Sequence, residues 1–256
     1  MMTTNFTVII PARMHSTRLP HKMTLDLGGM PLVIRTAKQA LKSKASRVIV
    51  ATDHADILAI CREHSVDAVL TKDIHVSGTD RLQEASELLN LSPAEIIINV
   101  QGDEPLIEPE LINQLAKFIL LQKTPIATIA HTITESDEIF NPNMVKVVLD
   151  HLKNALYFSR AAIPFNRDGY PPLHNFSLPT ETQVLRHIGI YAYTVEFLNQ
   201  YTSLIPSPLE LIEGLEQLRA LYNGYKIAVL TIDEAPGRGI DTLEDLMYVR
   251  QLIGQH

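Results

Sequence analysis

One cysteine, few aromatic rings and no long apolar run set the first limits on this chain of 256 residues. Cys61 has no second thiol in the chain to pair with, which excludes an internal disulfide and suggests a reducing compartment. No apolar stretch approaches the roughly 20 residues that cross a bilayer. Residues 1–5 lack a basic n-region, and the run Phe6–Ile10 is too short for the core of a signal peptide. A soluble cytoplasmic protein, with no membrane partner, is the expectation. Positive charge is not in excess either: the net charge of −7 argues against a surface that wraps nucleic acid. A local basic pocket for a single nucleotide is still compatible with it. The ten histidines show no zinc-type spacing. No G-x-S-x-G elbow, Cys–His pairing or Walker A loop occurs, so acyl-transfer machinery and P-loop NTPases are both disfavoured.

What is present is enough apolar residue, 46% of the chain, for a sizeable core. Short apolar runs alternate with helical patterns through the first half, the signature of βα units on a mostly parallel sheet. Strands are expected over 6–10, 48–51, 67–70, 96–100 and 126–133. Helices are expected over 31–41, 55–63, 78–89 and 109–121. The segment Ile96–Val100, with three consecutive isoleucines, should sit centrally because both of its faces are apolar. The second half differs. Strands at 145–149 and 155–158 bracket a turn over 150–154, a long loop is expected over 164–182, and strands follow at 186–195 and 226–232. Ser207-Pro208-Leu209-Glu210 is a helix start with a capping serine and Pro at N1, and a last helix covers 241–253. The fold class is therefore α/β: a Rossmann-like three-layer α/β/α sandwich forming a single domain over 1–256, with a smaller antiparallel lobe inserted at about 130–200.

Chemistry concentrates after the strands. The loop following the first strand gathers Arg13, Ser16, Thr17, Arg18 and Lys22, three cations and two hydroxyls beside open backbone N–H groups. At the carboxyl end of a strand this is a receptor for a polyphosphate. Gln101-Gly102-Asp103-Glu104-Pro105 follows the central strand, where an open sheet places its ligand, and one carboxylate plus substrate phosphates is a usual way to hold Mg²⁺. Asp241 stands before the last helix; Asp241 or Thr242 would cap that helix, and local sequence leaves open whether Asp241 also ligates a metal. Ser77 and Gly78 open a helix whose N–H groups suit a base or a phosphate, or merely a cap. Arg160 has the guanidinium for bidentate capture of a carboxylate, although it and His187 would equally serve as packing residues.

Taken in order, these motifs resemble one family closely, the CMP-Kdo synthetases (3-deoxy-manno-octulosonate cytidylyltransferases). The resemblance is carried by Pro11-Ala12-Arg13, Ser16-Thr17-Arg18-Leu19-Pro20 with Lys22, Ala51-Thr52-Asp53, Ser77-Gly78-Thr79 and Asn99-Val100-Gln101-Gly102-Asp103-Glu104-Pro105. It continues through Asn141-Pro142-Asn143, Val145-Lys146-Val147-Val148, Tyr157-Phe158-Ser159-Arg160, Arg186-His187 with Gly189-Ile190-Tyr191, Ser207-Pro208-Leu209-Glu210, Leu215-Glu216-Gln217-Leu218-Arg219 and Gly239-Ile240-Asp241-Thr242. It implies a homodimeric enzyme that joins CTP and Kdo into CMP-Kdo and pyrophosphate for lipopolysaccharide. By the same resemblance, Ala12, Arg13, Ser16, Arg18 and Lys22 serve the triphosphate, and Ser77, Gly78 and Arg81 enclose the cytosine. Gln101, Arg160, His187, Tyr191, Glu213 and Gln217 line the sugar pocket. Asp103 and Asp241 hold Mg²⁺, one of two such ions, and Lys22 and Arg18 act with them in catalysis.

Two positions depart from the family pattern. His21 stands where a glycine usually precedes the lysine, and Arg238 separates two late glycines where a small neutral residue is usual. Two rivals remain: a CMP-sialate synthetase-like enzyme for another acidic sugar, and a non-catalytic nucleotide-sugar sensor.

Overall fold

A computed structural model of the chain describes residues 5–75, 77–167, 170 and 183–254. In chain order its elements are β1 (Phe6–Ala12), α1 (Leu32–Ala40), β2 (Arg47–Thr52), α2 (Ala55–Glu63), β3 (Asp67–Leu70), α3 (Gly78–Leu88), β4 (Ile96–Asn99) and α4 (Pro109–Gln122). They are followed by β5 (Ile126–Thr132), α5 (Ser136–Phe140), β6 (Lys146–Leu149), β7 (Ala155–Ser159), β8 (Leu185–Thr194) and α6 (Val195–Tyr201). The last are α7 (Pro208–Glu213), α8 (Gln217–Tyr222), β9 (Ile227–Ile232) and α9 (Leu243–Gly254). Of the loop expected over 164–182, residues 168–169 and 171–182 lie outside the described set. Among the described residues no helix is long and apolar enough to cross a membrane.

The described residues fall into two compact units, one within 1–117, 192–202 and 236–256, the other within 118–191 and 203–235. In the first, β1 lies between β2 and β4, β3 pairs with β2, and all three pairings are parallel. Register aligns Val8 with Val48 on one side and with Ile98 on the other. Successive strand side chains point to opposite faces, yet Val8, Ile9 and Ile10 of β1 and Ile97 and Ile98 of β4 are all fully buried. Both faces are thus covered, which is why these strands read as unbroken apolar runs. Each such isoleucine contributes about 1.5–3 kcal/mol by leaving water.

In the second unit β5 pairs with β9 in parallel, while β6 pairs with β7 and with the start of β8 in antiparallel fashion. The turn between β6 and β7 is built by Asp150, whose carboxylate accepts from the backbone N–H groups of Leu152 and Asn154, both at 2.8 Å. Helix α7 begins as the sequence says it should, with Ser207 in a reciprocal capping box with Glu210 and Pro208 at the first helical position.

Three helices were not legible. α5, α6 and α8 span five, seven and six residues, too few turns for a 3.6-residue period to register. The β-branched and aromatic run before α6 reads as strand. It ends at Thr194, whose hydroxyl accepts from Phe197 N–H at 3.2 Å and starts the helix.

Candidate active site

The first unit brings three loops together at the ends of its strands. After Ala12 closes β1, the chain passes Arg13, Ser16 and Arg18 and reaches Lys22, which opens a short 3-10 turn, Lys22–Thr24. Leu19 and Leu27 sink into a cluster with Leu32, Ile240, Leu246 and Val249, so the loop is anchored on both sides of Lys22. Arg13 and Arg18 stay exposed, Ser16 is half-buried, and Lys22 is 7% exposed. His21 adopts φ 54°, the left-handed region that favours glycine, and its Nδ1 lies 3.3 Å from Met14 Sδ.

The loop after β4 comes in close because residue 102 is glycine. A Cβ there would lie 2.8 Å from Met23 Sδ and 3.1 Å from the Pro11 carbonyl oxygen. The loop before α9 is held in the same way: a Cβ on Gly237 would meet Leu106 Cβ at 2.5 Å, and one on Gly239 would meet Glu104 Oε1 at 2.8 Å. Ile240 N–H donates to the Asp103 carbonyl at 2.9 Å and ties the two loops. Lys22 Nζ then donates to Asp103 Oδ2 at 2.5 Å and to Asp241 Oδ1 at 3.1 Å, and Arg18 Nη2 reaches the same Asp241 oxygen at 3.0 Å.

The capping question at α9 resolves in the same place. Thr242 Oγ1 accepts from Asp245 N–H at 3.2 Å, and Asp245 Oδ2 accepts from Thr242 N–H at 2.8 Å. Thr242 therefore caps the helix in a reciprocal box, and the Asp241 carboxylate is turned to Lys22 and Arg18. Arg238 is engaged nearby: its Nε lies 2.6 Å from Asp245 Oδ1 and its guanidinium stands over the Tyr248 ring. Burial pushes the Asp245 carboxyl up, but hydrogen bonds from Thr242 and Asp241 and the charge of Arg238 outweigh it and hold it below its ordinary value.

Among the described residues no cluster of three or more His, Cys, Asp or Glu forms a self-sufficient metal site. Asp103 and Asp241 nevertheless converge on one ammonium, so both carboxylates already face a common cation. Two hard oxygen donors that need further oxygens from a phosphate fit Mg²⁺.

At the start of α3, Ser77 Oγ accepts from Asp80 N–H at 3.1 Å and donates to Asp80 Oδ2 at 2.8 Å. A Cβ on Gly78 would meet nothing within 4 Å, so this turn is open to an approaching group. Arg81 does not join that open face. Its guanidinium is buried and donates to Asp53 Oδ2 at 2.8 Å and to Thr71 Oγ1 at 2.6 Å. Gln101 lies in the loop after β4 and is half-buried.

The other five positions expected to meet a sugar lie in the second unit. Arg160 closes β7, and the Glu213 carboxylate accepts from Ser159 Oγ at 2.6 Å and from Arg160 N–H at 2.9 Å. The Arg160 guanidinium donates to the Glu213 carbonyl at 2.6 Å and to the Pro142 carbonyl at 2.9 Å. His187 on β8 lies 3.0 Å from Thr128 Oγ1, which has one proton and sits 2.8 Å from the Ile190 carbonyl. With that proton given to Ile190, His187 Nε2–H donates to Thr128 and Nδ1 is the ring's acceptor. The ring packs edge-on against Phe158 and tilted against Tyr191, and burial brings its pKa down to about 3. Tyr191 is buried, and Gln217 opens α8 half-buried.

Lys146 is not among the residues that the sequence motifs nominate for the site. Its ammonium, fully buried, donates to the carbonyls of Asn141 (2.9 Å), Met144 (2.5 Å) and Arg160 (2.7 Å). A lysine enclosed by Val145, Val147 and Val148 was the available signal.

Comparison with known proteins adds a second line of support. The chain matches the model of the cytidylyltransferase family over residues 7–227. It is 55% identical to the 3-deoxy-manno-octulosonate cytidylyltransferase of Neisseria meningitidis serogroup C over 247 residues, 96% of this chain and 97% of that protein. It is 54% identical to the protein of the same name from Herminiimonas arsenicoxydans over 251 residues, 98% of this chain and 100% of that one. Among solved structures, a CMP:2-keto-3-deoxy-manno-octonic acid synthetase complexed with CTP matches with a TM-score of 0.88 at 36% identity, covering 98% of this chain and 99% of that one. A 4-diphosphocytidyl-2C-methyl-D-erythritol synthase from Anaerococcus prevotii, at 14% identity and a TM-score of 0.59 over 98% of this chain and 99% of that one, shares the fold alone.

Proposed function

The chain belongs to the cytidylyltransferase family, among the 3-deoxy-manno-octulosonate cytidylyltransferases, and from that premise we propose that it transfers the cytidylyl group of CTP to Kdo. The products are CMP-Kdo, the activated sugar for lipopolysaccharide assembly, and pyrophosphate. The observation that carries this reading is the bridge from Asp103 through Lys22 to Asp241, beside a loop with Arg13 and Arg18.

The anomeric hydroxyl of Kdo is a weak nucleophile, and its target phosphorus is ringed by negative oxygens. In the reaction its oxygen forms a bond to the α-phosphorus while the bond from that phosphorus to the β-phosphate oxygen breaks. The hydroxyl proton passes to water, and negative charge departs on pyrophosphate. Arg13, Ser16, Arg18 and Lys22 hold the triphosphate, with the backbone at Ala12 alongside. Lys22 and Arg18 offset the charge that develops as the bond to pyrophosphate breaks. Ser77 and Gly78 receive the cytosine at the open turn of α3. Arg160 meets the Kdo carboxylate, and Gln101, His187, Tyr191, Glu213 and Gln217 fix the rest of the sugar. Asp103 and Asp241 are the residues that would hold Mg²⁺, which when bound neutralises phosphoryl oxygens and lowers the pKa of an attacking hydroxyl. No side-chain nucleophile is needed.

A homodimer is part of the proposal. In the second unit Leu156 of β7 and Leu211 and Ile212 of α7 are 62%, 77% and 82% exposed, and a partner copy would cover them. Cytoplasmic location follows from the substrate, CTP.

The test is Mg²⁺-dependent pyrophosphate release from CTP with Kdo, with sialic acid and with no sugar. Release with Kdo alone supports the reading in full. Release only with sialic acid keeps the chemistry and overturns the sugar assignment. CTP binding without release in any arm identifies a sensor.

A further inference from the structure

One buried ion pair lies behind the nucleotide loops without belonging to the residues that would touch phosphate. Asp53 follows the last residue of β2, and its side chain is 14% exposed. Its Oδ2 accepts from Arg81 Nη2 at 2.8 Å, and its Oδ1 accepts from Met14 N–H at 3.3 Å. Met14 stands in the phosphate loop, directly after Arg13. Arg81, in the first turns of α3, uses its other terminal nitrogen on Thr71 Oγ1 at 2.6 Å and on the Lys72 carbonyl at 3.5 Å. Thr71 is fixed in turn by two hydrogen bonds to the Thr52 carbonyl, at 2.7 Å from its backbone and 3.1 Å from its hydroxyl. One guanidinium and one carboxylate thus tie together the loop after β1, the ends of β2 and β3, and the helix that begins at Ser77.

We infer that Asp53 and Arg81 are positioning residues for CTP: the pair sets the phosphate loop and the open turn of α3 at a fixed separation, so that triphosphate and base are received together. Three features support this over a contact between Arg81 and the base. The Arg81 side chain is 5% exposed. Its hydrogen bonds run to Asp53, Thr71 and Lys72. Asp53, its ionic partner, is the residue that also holds Met14. An arginine fork and a carboxylate that each accept two directions of constraint fix orientation as well as distance. The inference rests on the cytidylyltransferase reading, since it assigns the two loops to one nucleotide.

The test is CTP affinity by calorimetry in the full-length protein, which needs neither Kdo nor turnover, for Asp53→Asn, Arg81→Lys and the double variant. Asp53→Asn keeps an oxygen for Met14 N–H and removes the charge; Arg81→Lys keeps charge and removes the fork. Because misplacing a binding loop by about 1 Å can cost up to 100-fold, each single variant should weaken CTP about tenfold or more, and the double variant no further. In steady state the KM for CTP should rise while the KM for Kdo stays within about twofold, a split that general destabilisation would not produce. Singles within twofold of the parent, in protein that melts as the parent does, overturn the inference. So does loss of binding in Arg81→Lys alone, which would make Arg81 a direct contact. Should neither variant fold, hydrogen exchange on the unsubstituted protein decides. CTP should protect 13–22 and 71–81 at the same nucleotide concentration, and protection of one segment alone overturns the pairing. Absence of pyrophosphate release by the unsubstituted protein with Kdo would instead count against the proposed reaction, and leaves the CTP-binding readout in force.

Discussion

Lys22 Nζ sits 2.5 Å from Asp103 Oδ2 and 3.1 Å from Asp241 Oδ1, so one ammonium bridges two carboxylates that lie 138 residues apart in the chain (241 minus 103). Two like charges this close need a cation between them. Lys22 supplies it, and in the proposed reaction it also offsets charge on the departing pyrophosphate. It therefore competes for the carboxylates that a divalent ion would use. Lys22→Met should lower kcat/KM by about 10²–10³-fold, the usual cost of losing one preorganised cation or donor. In nucleotide-free protein the same substitution should raise Mn²⁺ affinity about tenfold, read by the free-ion paramagnetic signal. Unchanged affinity would mean that Lys22 does not contend with the ion.

Asp103 is the cleaner probe of the metal assignment, because its side chain is partly exposed and its backbone, not its carboxylate, joins the loops through Ile240. Asp103→Asn should abolish turnover, by at least about 10³-fold, since Asn offers Mg²⁺ no charge. The melting temperature should move by less than about 4 °C, as expected for a change worth less than about 1 kcal/mol. A variant that turns over nearly as well as its parent would remove Asp103 from the metal site.

His187 should remain neutral across the working pH range. Burial holds its pKa near 3 in the folded protein, against about 6.5 in an open chain. The unfolded chain therefore binds more protons between those values. The stability linked to the neutral ring is complete above pH 6.5 and is lost as pH falls towards 3. His187→Gln, which can still donate to Thr128, should be less acid-sensitive in that window, measured by urea unfolding at pH 4 and pH 7. A ring titration near 6.5 by NMR in the parent would refute the assignment.

The departure at His21 has a backbone consequence. Its φ of 54° costs a non-glycine residue about 1–2 kcal/mol, although the contact with Met14 Sδ returns part of it. His21→Gly should therefore stabilise the fold modestly, by about 0.5 kcal/mol after the added chain entropy of glycine, with turnover retained. A loss of more than about 1 kcal/mol in denaturant unfolding would show that the imidazole contact outweighs the strain.

How far the sequence could be read depended on whether the governing interaction was local. The isoleucines of β4 and the Ser207–Glu210 capping box are local patterns, and both elements lie where the sequence placed them. The short helices α5, α6 and α8 escaped because so few residues carry no period. At the site, residue types were legible but partnerships were not. Strand–loop junctions nominated Lys22, Asp103 and Asp241, whereas their mutual bridge joins positions up to 219 residues apart. Arg81 shows the limit. The family resemblance sets it beside the cytosine, and only the fold discloses Asp53 as its partner, 28 residues away.

Lys146 is a buried charge whose cost and benefit separate with pH. Three carbonyls surround its ammonium, and burial first, then the charge of Arg160, bring its pKa down to about 8 against the opposing pull of Glu213. Between pH 8 and 10.5 the unfolded chain holds the proton that the folded protein has released. Stability from this group therefore rises with pH over that window, and at pH 7 the fold carries the unfavourable burial of the charge. Removing the amine altogether is worse, because the carbonyls of Asn141, Met144 and Arg160 lose their donor. Lys146→Met should destabilise by about 1–3 kcal/mol at pH 7, the range for a buried acceptor left unsatisfied. The deficit relative to the parent should widen from pH 8 to pH 10, since only the parent gains stability there. Denaturant unfolding at the three pH values checks both the size and the slope. A deficit that narrows with pH would mean that the lysine stays charged in the fold.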